Sequence, residues 1–471
     1  PPGTIAPMRS ITVVSACALA GLLFACGDSG GSGGAGTGAG AGGPGVGPSS
    51  TTGSGGPGSG GYGGEGGAQM TMLADSVTQF GITWTFDAAY PVGQFANGDY
   101  FVVGPVTITG VSPEPTSDRN GTVVDPPTGS QGYDDRGGDY DASVRASFPL
   151  SLSGIASVVS SISHGDSDCM DGNNPAFTTY DGGCQRGPIH TQAVLTVLAQ
   201  VPQAGTFRPP YIGGGQKPLY ALADVDWSLL PSLPAPPSAP SEDSVLRHVE
   251  RPWIDHLLNW TLQHGCATHN MYCYGREIGD IVSEVGLYVM LDTPARETLA
   301  IRLIQLGIDN GGIVAGGGSW PADGGHMNGR KWPIVFAGMM LGDAALASPG
   351  PVSGEDGQTY FGANGDALWG VDCDSCFFEN GCDLGGACNS GRQDCRDPAL
   401  LVDGCEGYRN CCTSHTWVGQ ALAARLVPGA VQAWGHDPFF AYVDRWMSGA
   451  VDGGGGTGSA FVGEMWDLHA P

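Results

Sequence analysis

The proline-rich stretch Leu230 to Pro240, LPSLPAPPSAP, constrains the fold most, because apolar residues are spaced differently on its two sides. Upstream, Ile82, Trp84 and Phe86 alternate with Thr83 and Thr85, the period of a half-buried strand. Tyr100 to Val103, Val106 to Val111, Ser151 to Ser163 and Thr191 to Val201 are further strand candidates. Turn pairs such as Asn97-Gly98, Asn120-Gly121 and Gly137-Gly138 punctuate them. Downstream, the period lengthens to that of a helix. Pro252, ahead of Trp253, Ile254, Leu257 and Leu258, predicts a first helix. Arg276 to Leu291, a segment opened by Thr293-Pro294, the apolar run from Trp332 to Leu341, Ser414 to Leu426 and Pro438 to Ser448 predict five more. The expected class is therefore α+β and multidomain. An antiparallel β-sandwich-like domain spans residues 70–227, a proline-rich linker 228–242, and a helical domain of αα-hairpins 243–450, ahead of a tail at 451–471.

The first residues read as an address. Met8-Arg9 begins a basic segment, and Ile11 to Phe24 is apolar but too short to span a bilayer, as in a signal segment over 1–26. It ends in Leu23-Phe24-Ala25-Cys26, which resembles a bacterial lipobox and implies lipidation at Cys26. Residues 27–69 are a Gly/Ser-rich tether with too few apolar side chains to fold. The expected location is the bacterial cell envelope, with the membrane met through the lipid alone. A net charge of −27 excludes nucleic acid and anionic lipid as main partners.

Of the 14 cysteines, setting aside Cys17 and Cys26 leaves an even set of twelve, which in an exported chain reads as disulfides. They are Cys169, Cys184, Cys266, Cys273, Cys373, Cys376, Cys382, Cys388, Cys395, Cys405, Cys411 and Cys412, the last eight within a cysteine-rich insertion over 354–412. Cys266 with Cys273 is the clearest pair. Cys373 and Cys376 form a CxxC, but no second CxxC or suitably spaced His accompanies it, so disulfides are favoured over zinc and no metal site is expected. The acidic loop Asp166 to Asn174 carries enough oxygen ligands for a structural calcium ion. Its spacing departs from the EF-hand pattern, which favours a solvated loop closed by Cys169 and Cys184, with no cofactor.

Chemistry-bearing residues gather in three places, each near a predicted helix end. The first is His269 to Glu277, with Asn270, Tyr274 and Arg276. The second is the glycine-rich stretch Gly316 to Asp343, with Trp320, His326, Asn328, Arg330 and Lys331. The third runs from Tyr408 through His415 to Tyr442 and Arg445. Loops at one end of stacked helical hairpins can converge on one cleft. Asn, His, Tyr and Arg together suit proton abstraction beside a carboxylate: the acid's charge needs a neutralising group, and the base a pKa near working pH.

Between Arg251 and Arg445 this layout resembles the bacterial polysaccharide lyases of the (α/α)-toroid type, the heparinase-like and alginate-lyase-like group. The resemblance implies a partial α/α-toroid, a polysaccharide partner and β-elimination of a uronate-containing glycan. In such a scheme Arg330 and Asn270 hold the uronate carboxylate, His326 takes the proton and Tyr274 assists the leaving sugar. Trp320, Asn328, Lys331, Arg276, His415 and Tyr442 serve substrate binding. Two other classes stay open: a non-catalytic carbohydrate-binding or surface-adhesion protein, and a glycoside hydrolase pairing Glu277 or Asp280 with Asp323 or Asp437.

Overall fold

The computed structural model describes residues 71–165, 187–258, 264–320, 325–361, 367–369, 412–449 and 454–471, all within one compact unit, Gly60–Pro471. Cys26, the tether, the acidic loop with Cys169 and Cys184, Asp323, Tyr408 and the cysteines from Cys373 to Cys411 lie outside the described residues.

The fold is α+β. Strands β1 (Met72–Gln79), β2 (Ile82–Gln94), β3 (Tyr100–Val103), β4 (Val106–Ser112), β5 (Thr122–Val124), β6 (Leu150–Leu152), β7 (Ala156–Ser163) and β8 (Ile189–Leu198) form one sheet. Its order is β5-β7-β8-β3-β2-β4-β6, with β1 also paired to β2. Neighbours are antiparallel except β3 and β8. The long β2 changes partner along its length: Thr83 to Phe86 pair with β4, and Val92 to Gln94 with β3. This lets the sheet curl, so that Trp84 of β2 donates its indole N–H to Ser160 Oγ of β7 at 3.0 Å.

Burial explains the two kinds of strand pattern. In β2, Ile82, Trp84 and Phe86 are buried between more exposed threonines, as the alternation predicts. In β7 and β8 nearly every residue is buried, because both faces are covered. Val158, Ala193, Leu195 and Val197 pack with Trp84 and Ile108 inside the curl. The alternate residues Val159, Ile189 and Val194 face the other way, onto Ile254, Leu257, Ile313, Trp320, Met327 and Ile334. Strands covered on two sides lose the simple alternation, and here Ser157, Ser160, Ser161, Thr191, Gln192 and Thr196 are buried along with the apolar residues.

Among the described residues the helical part has α1 (Glu242–Val249), α2 (Gly275–Tyr288), α3 (Arg296–Ala315), α4 (Lys331–Leu341), α5 (Ala344–Ala347), α6 (Gly354–Gln358), α7 (Ser414–Leu426), α8 (Ala430–Trp434), α9 (Asp437–Met447) and α10 (Ala460–His469). A short hairpin, β9 (Thr359–Phe361) with β10 (Ala367–Trp369), lies between α6 and α7. One expectation changes. The helix expected after Pro252 is absent; α1 precedes that proline, capped by Ser241, and residues 251–258 run without helix. Trp253, Ile254 and Leu257 are buried there because the segment threads between sheet and helices, so covered surroundings mimic a helical stripe. Within the segment set apart as a tail, α10 buries Phe461, Val462 and Met465 and is capped by Ser459.

Small residues set the helix packing. Gly279 of α2 lies against Thr416 and Gln420 of α7, Ser283 against Gly419, and Gly286 against Ala423. The numbers rise together, so α2 and α7 run parallel. Gly307 of α3 lies against Pro333 and Ala337 of α4.

Candidate functional site

The N-terminal ends of α2, α4 and α7 converge on the loop between α3 and α4. Gly275, the first residue of α2, lies so close to this loop that a Cβ there would stand 2.4 Å from the His326 carbonyl oxygen. Gly329, at φ +87°, brings the chain onto Gly279 of α2; a side chain there would meet the Gly279 nitrogen at 2.8 Å. From the third side Asn328 Nδ2 reaches the carbonyl of Cys412, two residues before α7, at 3.4 Å. Cys412 is disulfide-bonded.

This convergence joins two residues that the sequence separates widely. Tyr274, the N-cap residue of α2, meets His326 edge to face, with ring centroids 4.5 Å apart and planes at 79°. Tyr274 is buried and His326 half-buried. The Cys266–Cys273 disulfide, found as expected, closes the segment immediately before Tyr274. Arg276 stands next to the pair, its Cζ 5.8 Å from the Tyr274 ring centre and its Nη2 2.5 Å from Glu277 Oε1. Burial pushes the Glu277 carboxyl up, while Arg276 pulls it down. Glu277 Oε2 is buried without a hydrogen-bond partner among the described residues. One turn on, Asp280 Oδ2 lies 3.6 Å from His415 Nε2.

Other expected site residues are in the scaffold. Arg330 is 1% exposed and grips Asp255 through Nε at 2.8 Å and Nη2 at 3.3 Å. Its Nη1 donates to the carbonyls of Asn328 at 2.7 Å and His326 at 3.2 Å. Arg330 thus fixes the backbone that carries His326, and its guanidinium is engaged inside the protein rather than turned to a ligand. Burial pushes the Asp255 carboxyl up, against the pull of Arg330. Lys331 is likewise buried, with Nζ 2.6 Å from Asp356 and 5.3 Å from the Trp434 ring centre. Asn270 is fully buried and donates to the carbonyls of Arg251 at 3.1 Å and His248 at 3.4 Å. Trp320 and Asn328 are also fully buried. Tyr442 packs on Trp417 and shares a 3.0 Å hydrogen bond with Ser414.

Several buried charges escaped the sequence reading. Glu355 of α6 is fully buried and accepts the Gly329 N–H at 2.6 Å, and burial pushes its carboxyl up. Arg208, fully buried, binds Asp99 through Nε at 2.6 Å and Asp309 of α3 through Nη1 at 2.9 Å and Nη2 at 2.5 Å. A signal for this network was in the sequence: Asp309 and Asn310 interrupt the apolar face of a long helix, and a charge there requires a partner.

Among the described residues no group of three or more His, Cys, Asp or Glu side chains is placed to hold a metal ion. No described helix is long and apolar enough to cross a membrane. The sequence matches no family model and no curated protein, and the structure matches no solved structure.

Proposed function

We propose that this chain cleaves a uronate-containing polysaccharide by β-elimination at the Tyr274–His326 pair. The observation that carries the reading is the meeting of this pair at the converging N-terminal ends of α2, α4 and α7. Helix N-termini carry positive potential and suit an anion, even on a chain of net charge −27. In this scheme Arg276 and the N-terminal potential of α2 neutralise the sugar carboxylate. His326 takes the C5 proton, the C5–H electrons form the C4=C5 double bond, the C4–O bond breaks, and Tyr274 gives a proton to the departing oxygen. Arg330 and Asn270, assigned to the carboxylate on sequence grounds, become positioning residues: Arg330 for the His326 backbone and Asn270 for the Arg251 turn. The curled sheet and the helices would then correspond to the β-sandwich-like part and partial α/α-toroid of such lyases.

The test incubates the protein with alginate, glucuronan and pectate and follows the ultraviolet absorbance of the unsaturated product. His326→Ala is expected to lower turnover by a factor on the order of 10², with binding largely retained. Unsaturated product at an unchanged rate in that variant removes His326 from the mechanism.

Glu277 favours a second reading. A largely buried carboxyl with a raised pKa is the kind of group that serves as a general acid, with Asp280 as the nearby carboxylate of a glycoside hydrolase. Saturated reducing ends as the only product select that reading; binding without turnover selects carbohydrate adhesion. The proposed setting is the cell envelope, with Cys26 as the lipidated residue. A Cys26→Ala variant that still incorporates a labelled lipid precursor would exclude the anchor.

A further inference from the structure

Lys331 and Asp356 form a buried pair whose surroundings suit covalent joining. Lys331 Nζ lies 2.6 Å from Asp356 Oδ1, and the two side chains are 1% and 2% exposed. Lys331 is the first residue of α4, and Asp356 sits in α6. An ammonium has three N–H donors to place. Among the described residues only Asp356 accepts one from Lys331, and the Trp434 ring centre stands 5.3 Å away. Burial lowers the Lys331 pKa, against the pull of Asp356. Lys217 is the contrast. It too lies 2.6 Å from a carboxylate oxygen, that of Asp125, but it also reaches Ser157 Oγ at 2.8 Å and the Pro210 carbonyl at 3.1 Å, so all three donors are met. A desolvated lysine with few hydrogen bonds is the kind that acts as a nucleophile.

The two oxygens of Asp356 have different settings. Oδ2 accepts the backbone N–H of Val352 at 3.0 Å and that of Ser353 at 3.4 Å, while Oδ1 faces the amine. Two N–H groups on one oxygen polarise the carboxyl carbon and can hold negative charge that develops there. A third group stands beside the pair. Glu355, next in the chain to Asp356 and within electrostatic reach of Lys331, is fully buried, and its Oε1 accepts the Gly329 N–H at 2.6 Å. Its Oε2 is buried without a hydrogen-bond partner among the described residues. Burial pushes the Glu355 carboxyl up, and Asp356 adds to the effect. One buried cation thus faces two buried carboxyl groups, and a proton passed within the set reduces the charge held away from water.

We propose that Lys331 and Asp356 join in an isopeptide bond, with Glu355 carrying a proton between them. Lys331 first gives its extra proton to Asp356 Oδ1. The neutral Nζ attacks Asp356 Cγ, a C–N bond forms, and negative charge collects on Oδ2 under the Val352 and Ser353 N–H groups. A proton on the attacking nitrogen passes through Glu355 to Oδ1, the C–Oδ1 bond breaks, and one water leaves. Amine and carboxylic acid become amide and water. No oxidant or further reactant enters, and Glu355 ends as it began. Groups held in contact react as if at very high concentration, with effective molarities of about 10⁵–10⁸ M when well oriented. The bond fastens the start of α4, and with it the loop that carries His326, to α6. This inference is independent of the polysaccharide reading.

The experiment reduces and alkylates the purified full chain, digests it with trypsin and chymotrypsin, and reads the peptides by tandem mass spectrometry. The expected product is a branched peptide joining Lys331 to Asp356, one water lighter than its two parts, with no tryptic cut after Lys331. Glu355→Gln keeps the size of the side chain and an acceptor for the Gly329 N–H. In that variant the linked fraction should fall on the order of tenfold or more, with circular dichroism checking that it is folded. Lys217 should be recovered unlinked. Lys331 and Asp356 in separate peptides of full mass from the folded parent would overturn the proposal. A link equally complete in folded Glu355→Gln would overturn the part given to Glu355, and a link at Lys217 would overturn the argument from unmet donors.

Discussion

Arg330 and His326 lie one helical turn apart in number and have opposite fates. Arg330 is locked to Asp255, so Arg330→Ala leaves a buried carboxylate without its cation. Its expected cost is about 3–5 kcal/mol of stability, read by denaturant unfolding. His326→Ala, half-exposed, should cost about 1 kcal/mol or less on the same measure. An Arg330→Ala protein as stable as the parent would contradict the buried ion pair. The sequence singled out both residues by type and by nearness to a helix start. It could not separate them, because the partner of Arg330 lies 75 positions upstream in an apolar segment. His256 allows a pH test. It is buried, its Nδ1–H donates to the Pro127 carbonyl at 2.9 Å, its Nε2 accepts from Tyr133, and burial lowers its pKa to about 4. His248 is lowered to about 4 as well, chiefly by burial. The unfolded chain binds these protons first. Their stability contribution is thus complete above the ordinary histidine pKa, about 6.5, and is lost as pH falls from there towards about 4. The melting temperature should fall across that window, less steeply in His256→Leu than in the parent; identical slopes would argue against a buried neutral histidine.

At the scale of elements, close helix contacts depend on missing side chains. A Cβ on Gly307 would stand 2.0 Å from the Pro333 carbonyl oxygen, a backbone atom that cannot step aside. Gly307→Ala should therefore destabilise by about 1–3 kcal/mol, even though alanine is the better helix former. At Gly215 the space is open, so Gly215→Ala is the control, with little expected change. Comparable stability of the two variants would mean that α3 and α4 are not packed as described. Helices were legible whether buried on one side, as α9 is, or nearly all round, as α7 is: the expected bounds of Ser414 to Leu426 coincide with α7, and Pro438 to Ser448 differs from α9 by one residue at each end. Residues 251–258 were misread because a segment covered on several sides has buried residues at spacings that imitate a helix. The parallel contact of α2 with α7 joins elements more than a hundred residues apart, beyond the reach of local periodicity.

Across the whole molecule, sheet and helices share one cluster of buried side chains and are bolted together by Arg208 between Asp99 and Asp309. Calorimetry should therefore show a single thermal transition whose calorimetric and van't Hoff enthalpies agree, and Arg208→Met should shift it as a whole. Two separated transitions would show that the halves melt independently. The Cys266–Cys273 bridge bears on timing. It ties the segment that ends at Tyr274, so in surroundings that keep thiols reduced the approach of Tyr274 to His326 lacks its tether. Reducing the bridge is therefore expected to loosen the meeting of Tyr274 with His326, while oxidation restores it.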